Sequence, residues 1–221
     1  METILTLIGV AILQSPLIIK GSENHSVDTN KIFIYRRWIS VLLMIPVIFI
    51  SPVKINMELS TISWMVLLFN LNVILNILYA ASKRSDFNPE PFLQVNLHMQ
   101  SFSSHLMNAL SWMVYLVFYE LLVRIILVNE LGAFGLSATA STIIALGFYV
   151  VLHLPQGLKM TLASIPFGIL AVIWISLTGS LLPVIILHLA CSLGNDYIIG
   201  MTPKNVNHEG ISHRLFRVSG K

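Results

Sequence analysis

Charge is what this sequence has least of: ionisable Asp, Glu, Lys and Arg make up 10% of 221 residues, against 56% hydrophobic ones, and mean hydropathy is +0.81. A water-soluble globule of this length needs far more polar surface, so a soluble domain is excluded and the bilayer is the expected solvent. Cysteine is nearly absent as well. The one thiol, Cys191, sits inside an apolar run, which excludes an intrachain disulfide and leaves the redox compartment open. The strict polar and apolar alternation of a membrane barrel is missing, and so is the inverted internal repeat that marks many transporters. The excess of Lys and Arg over Asp and Glu is small (13 against 10) and is accounted for by stop signals between spans, so no nucleic-acid partner is expected.

What the chain does have is long uninterrupted apolar runs. Lipid cannot satisfy backbone N–H and C=O groups, so continuous runs of this kind must be helical, at roughly 20 residues per crossing. They fall at 4–19, 38–53, 62–81, 106–127, 137–154, 160–177 and 181–199, and predict an all-α fold: a polytopic transmembrane helical bundle of about seven spans. The first run has neither a basic start nor a small-residue cleavage site, so a retained helix is expected there. Lys20, Lys31, Arg36, Arg37, Lys83, Arg84, Lys159, Lys204, Arg214, Arg217 and Lys221 fall on one side of this arrangement, and Lys54 alone on the other. The positive-inside rule then sets the amino terminus outside and the carboxyl terminus in the cytoplasm. The polar stretch 21–30 reads as a loop, Asn88-Pro89-Glu90-Pro91 as a helix stop, and 92–105 as a helix on the membrane surface. The expected organisation is N-terminal transmembrane helices over 1–104, a core over 105–200 that holds the buried ionisable groups, and a cytoplasmic tail over 201–221.

Ionisable side chains inside a span cost about 2.5–3.5 kcal/mol each on insertion scales, so they face a cavity or a partner. Glu120 and Arg124 stand four residues apart on the fourth run, hence on one helical face. Tyr149 and His153 repeat that spacing on the fifth, and His188 and Ser192 on the seventh, with Asn195 and Asp196 just beyond. One carboxylate, one guanidinium and two imidazoles from three helices point to a single site rather than to three unrelated packing solutions. The chemistry suits hydrolysis: a carboxylate draws a proton from water, an imidazole orients that water or binds a metal, and a second donor steadies the oxyanion. Glu120, His153 and His188 would equally make a zinc site with an open position, and spacing does not decide between the two. Asn70, Asn72, Asn76 and Gln14 read as interhelical hydrogen-bonding groups, and Trp38, Trp64 and Trp112 as interface anchors.

Taken in order, these groups resemble the motifs of the CPBP family of intramembrane endopeptidases, which includes type II CAAX prenyl proteases and proteins of bacteriocin processing and immunity. The pattern is Glu-Glu-x-x-x-Arg, then Phe-x-x-x-His, then His-x-x-x-Asn, with a glycine-bearing span ending in Thr-Gly-Ser-Leu before the last. Here the pieces are Tyr119-Glu120 through Arg124, Tyr149 through His153 with Leu154-Pro155-Gln156-Gly157, Phe167-Gly168, Thr178-Gly179-Ser180-Leu181, and His188 through Ser192. The resemblance implies a protease core over 105–200 in which Glu120, Arg124, His153, His188 and Ser192 line an intramembrane cavity where water attacks a peptide bond. It further implies zinc or another divalent metal, if one is used, on Glu120, His153 and His188, and a multi-pass protein of a bacterial cell membrane whose partners are the bilayer and a peptide or membrane-protein substrate. Three departures stand out. Tyr119 replaces the first glutamate, and a phenol with a pKa of about 10 is a poor base; Ser192 replaces asparagine; and Tyr149 replaces phenylalanine. The first of these admits a catalytically silent member that binds a partner as a regulator or immunity protein.

Overall fold

The computed structural model describes residues 2–14, 29–51, 55–58, 60–83, 102–154, 158–194 and Tyr197, and among them the regular structure is all helical, with no strand. In chain order the helices are α1 (Glu2–Gln14), α2 (Thr29–Ile50), α3 (Thr61–Lys83), α4 (Phe102–Leu121), α5 (Leu127–Ala133), α6 (Ala138–Val151), α7 (Leu158–Thr178) and α8 (Leu182–Gly194). Between α4 and α5 the rod is not interrupted but widened: Leu122–Ile126 form a π-helical turn, closed by the Leu127 N–H donating to the Leu122 carbonyl five residues back.

Four stretches are long and apolar enough to cross a membrane: Ile32–Ile50, Thr61–Ala80, Phe102–Ala133 and Met160–Thr178. Glu2–Leu13, Ala138–Val151 and Leu182–Gly194 are shorter apolar helices. Each expected run thus meets a helix, and the chain is an integral membrane protein. Two side-chain clusters hold the bundle. One gathers Leu7, Val41, Met44, Leu116, Leu122 and Leu127 from α1, α2 and the α4–α5 rod; the other gathers Leu67, Leu121, Trp174, Val184 and Leu187 from α3, α4, α7 and α8. Leu121 and Leu122, neighbours in sequence, belong to different clusters, so the π turn lies on the seam between them.

Local chemistry explains the element ends. Ser137 caps α6, its hydroxyl accepting from the Ala140 N–H at 3.2 Å. At the end of α7, Gly179 takes φ +65°, a conformation that only glycine adopts without strain, and its N–H donates to the Ile175 carbonyl at 2.8 Å. The turn is then pinned from outside, because the Leu181 N–H donates to the Asn56 carbonyl at 3.1 Å.

Several expectations change. Arg36 and Arg37 lie within α2 rather than in a loop, and Arg37 is fully buried. Its Nη1 donates to Asn108 Oδ1 at 2.7 Å and to Ser111 Oγ at 3.1 Å, and its guanidinium carbon stands 3.8 Å from the Trp112 ring centroid. Trp112 is accordingly a core residue that carries a cation on its face, not an interface anchor. Asn76 Nδ2 donates to Asn72 Oδ1 and to the Asn72 carbonyl, both at 2.8 Å, so this pair bonds along α3 rather than across helices. The expected surface helix does not begin apart from the fourth span at its far end: Phe102–His105 form the first turn of α4. Thr29 and Asn30, expected in the polar loop 21–30, begin α2; the rest of that loop, the helix stop at 88–91, the rest of that surface helix, Asn195, Asp196, the tail and the side chain of Gln14 lie outside the described residues.

Candidate active site

The centre of the bundle is a fully buried carboxylate, Glu120, at the last turn of α4. One oxygen accepts from Arg124 Nε at 3.0 Å, the (i, i+4) pairing that the helix makes automatic. The other meets His188 Nδ1, which comes from α8, 68 residues away in sequence. A carboxylate paired with a guanidinium has no proton to give, so the imidazole Nδ1 carries the hydrogen, and in the neutral ring Nε2 is left with its lone pair free for chemistry.

His153 is held in the same manner by a different acceptor. Its Nδ1 lies 2.7 Å from the Tyr149 carbonyl, and since a carbonyl only accepts, Nδ1 is again the donor and Nε2 the basic nitrogen. Two imidazoles in one bundle therefore present the same nitrogen outward, each fixed through the other.

Aromatic rings wall the site. Tyr119 stacks on Tyr115 at 5.6 Å and faces His153 and His188 edge-on at 6.5 and 6.4 Å. Tyr149 stands 4.7 Å from His153 and 6.3 Å from His188, with the Arg124 guanidinium carbon 4.2 Å from its own centroid. Phe167 packs on His188 at 4.8 Å and on Trp174 at 6.1 Å. Both Tyr119 and Glu120 border the site although their side chains leave the helix about 100° apart. This is possible because the site lies between α4, α6 and α8 rather than in front of one face.

Close approach of α7 to α6 depends on Gly168. A Cβ there would meet Leu146 Cδ1 at 2.5 Å and the Tyr149 ring at 3.1 Å. Leu146 can swing aside, but Tyr149 is boxed in by Tyr119, Phe167 and Arg124. Gly168→Ala is therefore expected to cost about 1–3 kcal/mol of overpacking, to displace Tyr149 and to lower the unfolding midpoint in detergent.

Of the five expected site residues, Glu120, Arg124 and His188 are joined directly, and His153 is gathered with them through the rings of Tyr119 and Tyr149. Ser192 lies one turn past His188 on α8, half-buried, and is not joined to them by a hydrogen bond among the described residues. Tyr115, Phe167 and Trp174 were not singled out as lining groups. The four-residue step from Tyr115 to Tyr119 was the available signal for the first.

As a metal set, Glu120, His153 and His188 do not fit in this arrangement. Both Glu120 oxygens accept from N–H donors, and among the described residues no group of three or more His, Cys, Asp and Glu side chains is disposed to hold a metal ion.

Residues 101–194 match the family model described as Type II CAAX prenyl endopeptidase Rce1-like. No curated protein and no solved structure matches the chain.

Proposed function

We propose, from the match of residues 101–194 to the CAAX-type intramembrane endopeptidase family, that the chain hydrolyses a peptide bond in a membrane-associated or peptide substrate by imidazole-activated water. The observation that carries this is the hydrogen bond from His188 to the buried, Arg124-paired Glu120.

Glu120 acts as the orienting group and His188 as the base. With both carboxylate oxygens engaged, Glu120 fixes the His188 ring and stabilises the imidazolium that forms when Nε2 takes a proton from water. The hydroxide equivalent adds to the scissile carbonyl carbon, and the C–N bond then breaks as the proton passes to the leaving amine. His153, with Nε2 likewise free, is the second proton-transfer group, and Ser192 is the hydroxyl donor for the oxyanion. Arg124 keeps Glu120 ionised in a low-dielectric interior. The reaction is written without zinc or another divalent ion, because Glu120, His153 and His188 are not disposed as a ligand set among the described residues. The substrate class extends no further than a peptide bond presented at or in the membrane. The positive-inside count favours a carboxyl terminus in the cytoplasm, and the family resemblance favours a bacterial cell membrane.

Cleavage of a fluorogenic peptide panel by the purified protein in detergent, with and without chelator, tests this directly. Turnover that disappears in Glu120→Gln and survives chelation supports the reading. Turnover that Glu120→Gln leaves intact refutes the role of the dyad.

A second reading, a silent member that binds a partner as a regulator or bacteriocin-immunity protein, is favoured by one observation. Tyr119, buried among rings, occupies the position of the family's first glutamate. A cellular phenotype that persists in Glu120→Gln at unchanged protein level would select it.

A further inference from the structure

Two asparagines of α3 face away from the bundle they belong to. The helix packs inward along one stripe, where Leu67, Leu71 and Ile74 join the cluster that holds α7 and α8, and Leu78 is buried on the same line. At about 100° per residue, Asn72 and Asn76 leave the helix roughly 130–170° round from that stripe. Both are exposed, in the company of Met65 and Phe69 at 68% and 69% exposure. Of the four long spans, α3 is the least buried.

Depth makes this placement costly. Asn72 stands near the middle of the Thr61–Ala80 span, about 12 Å of helix from its nearer end. Hydrocarbon offers no hydrogen bond there, and polar groups in a span are ordinarily satisfied by another helix.

The hydrogen bonds that the pair makes define what it still lacks. Asn76 Nδ2 donates to the Asn72 carbonyl and to Asn72 Oδ1, both at 2.8 Å. A backbone carbonyl only accepts, so the Asn76 amide cannot be turned the other way, and its Oδ1 is the atom left over. Asn72 Oδ1 receives a bond, which leaves the two N–H groups of Asn72 Nδ2. The exposed face thus carries a donor and an acceptor one helical turn apart, and among the described residues neither has a partner.

A lipid tail matches neither group, and a helix bearing a lone hydroxyl would not reach both. The same face of a second copy supplies an acceptor for the donor and a donor for the acceptor. It also supplies them at the right depth, since copies inserted with one topology are related by a two-fold axis along the membrane normal and bring α3 parallel to α3.

We propose that the outer face of α3, with Met65, Phe69, Asn72 and Asn76, is the interface of a homodimer in the membrane, closed by Asn72 Nδ2 of each copy donating to Asn76 Oδ1 of the other. The interface uses no group of the hydrolytic site, so the inference stands apart from the proposed hydrolysis.

The test reconstitutes the purified full chain in lipid vesicles and follows energy transfer between donor- and acceptor-labelled copies as lipid dilutes them. Transfer above the random level is expected. Asn72→Leu combined with Asn76→Leu should raise the dissociation constant about tenfold, the loss expected for two interhelical hydrogen bonds in a membrane. The unfolding midpoint of the dissociated chain in detergent should not fall, because both positions are exposed. Oxidation locates the face: Phe69→Cys should cross-link to a dimer well above the background that Cys191 gives in the unsubstituted chain, and Ile143→Cys, exposed on α6, should not. Random transfer overturns the proposal, as does transfer undiminished in the double variant or cross-linking no greater at Phe69→Cys than at Ile143→Cys. A lowered midpoint in the double variant overturns it as well, since the pair would then serve the fold of its own chain.

Discussion

Arg124→Ala lowers the free energy of unfolding by about 3–5 kcal/mol, the cost of breaking a buried ion pair from one side. The size follows from what is left behind. Glu120 is fully buried, and with Arg124 gone its only described partner is His188. The carboxylate must then take up a proton or draw water into the bundle. The face of Tyr149 also loses its cation. The expected result is a strongly reduced unfolding midpoint in detergent together with loss of peptide cleavage. A companion variant separates the two effects. In Arg124→Met combined with Glu120→Gln, neither charge remains, and the midpoint should recover part of the loss because no uncompensated charge is left buried. Activity should not return, since the amide does not stabilise an imidazolium at His188. Failure of the pair to recover stability would show that the structural role of Arg124 lies elsewhere than in Glu120.

His188→Ala and His153→Ala are expected each to lower kcat by about 10²–10⁴-fold, the range of a positioned acid or base. Folding should suffer little in His153→Ala, because that ring is not an anchor of the two hydrophobic clusters, whereas His188→Ala also leaves a buried Glu120 oxygen without its donor. The double variant should be scarcely worse than either single one, since groups that act as a unit lose their joint contribution when either is removed. Purified variants compared for kcat on the best peptide of the panel decide this. Multiplication of the two effects would mean that the imidazoles act in separate steps, and a His153→Ala enzyme with unchanged kcat would confine the chemistry to the Glu120–His188 pair.

The helical membrane fold was legible because it rests on composition and run length, which one sequence carries in full. The contacts within one helix were legible for the same reason. Glu120 and Arg124 are four residues apart, and α-helical periodicity makes them neighbours before any tertiary structure exists. What bridged helices was not. The spacing of His188 and Ser192 says nothing of where Glu120 lies, and nothing in the sequence distinguishes a carboxylate that acts as base from one that takes an N–H on each oxygen. Arg37 was misassigned for a related reason. In a count of loop charges a basic pair reads as a stop signal, and only the Asn108, Ser111 and Trp112 face of α4 shows that this cation is taken inside. The anchoring assigned to Trp112 failed with it, since an indole near the end of a run is equally suited to lipid headgroups and to a buried guanidinium.

The widened turn at Leu122–Ile126 lets a single rod serve two sets of neighbours. An ordinary α-helix keeps one angular phase along its length, so a residue facing α2 near Trp112 dictates which residues face α6 near Leu127. The π turn resets that phase. Upstream of it α4 packs against α2 and α8, and downstream α5 packs against α6. The change occurs where Glu120 and Arg124 must look toward α8 and α6 at once. Seen as geometry, the turn is a one-residue insertion absorbed without breaking the helix. Removing one residue at Ile125 would tighten it to α pitch and leave Leu127 facing the core, because the wider turn already takes up the roughly 100° that one extra residue adds.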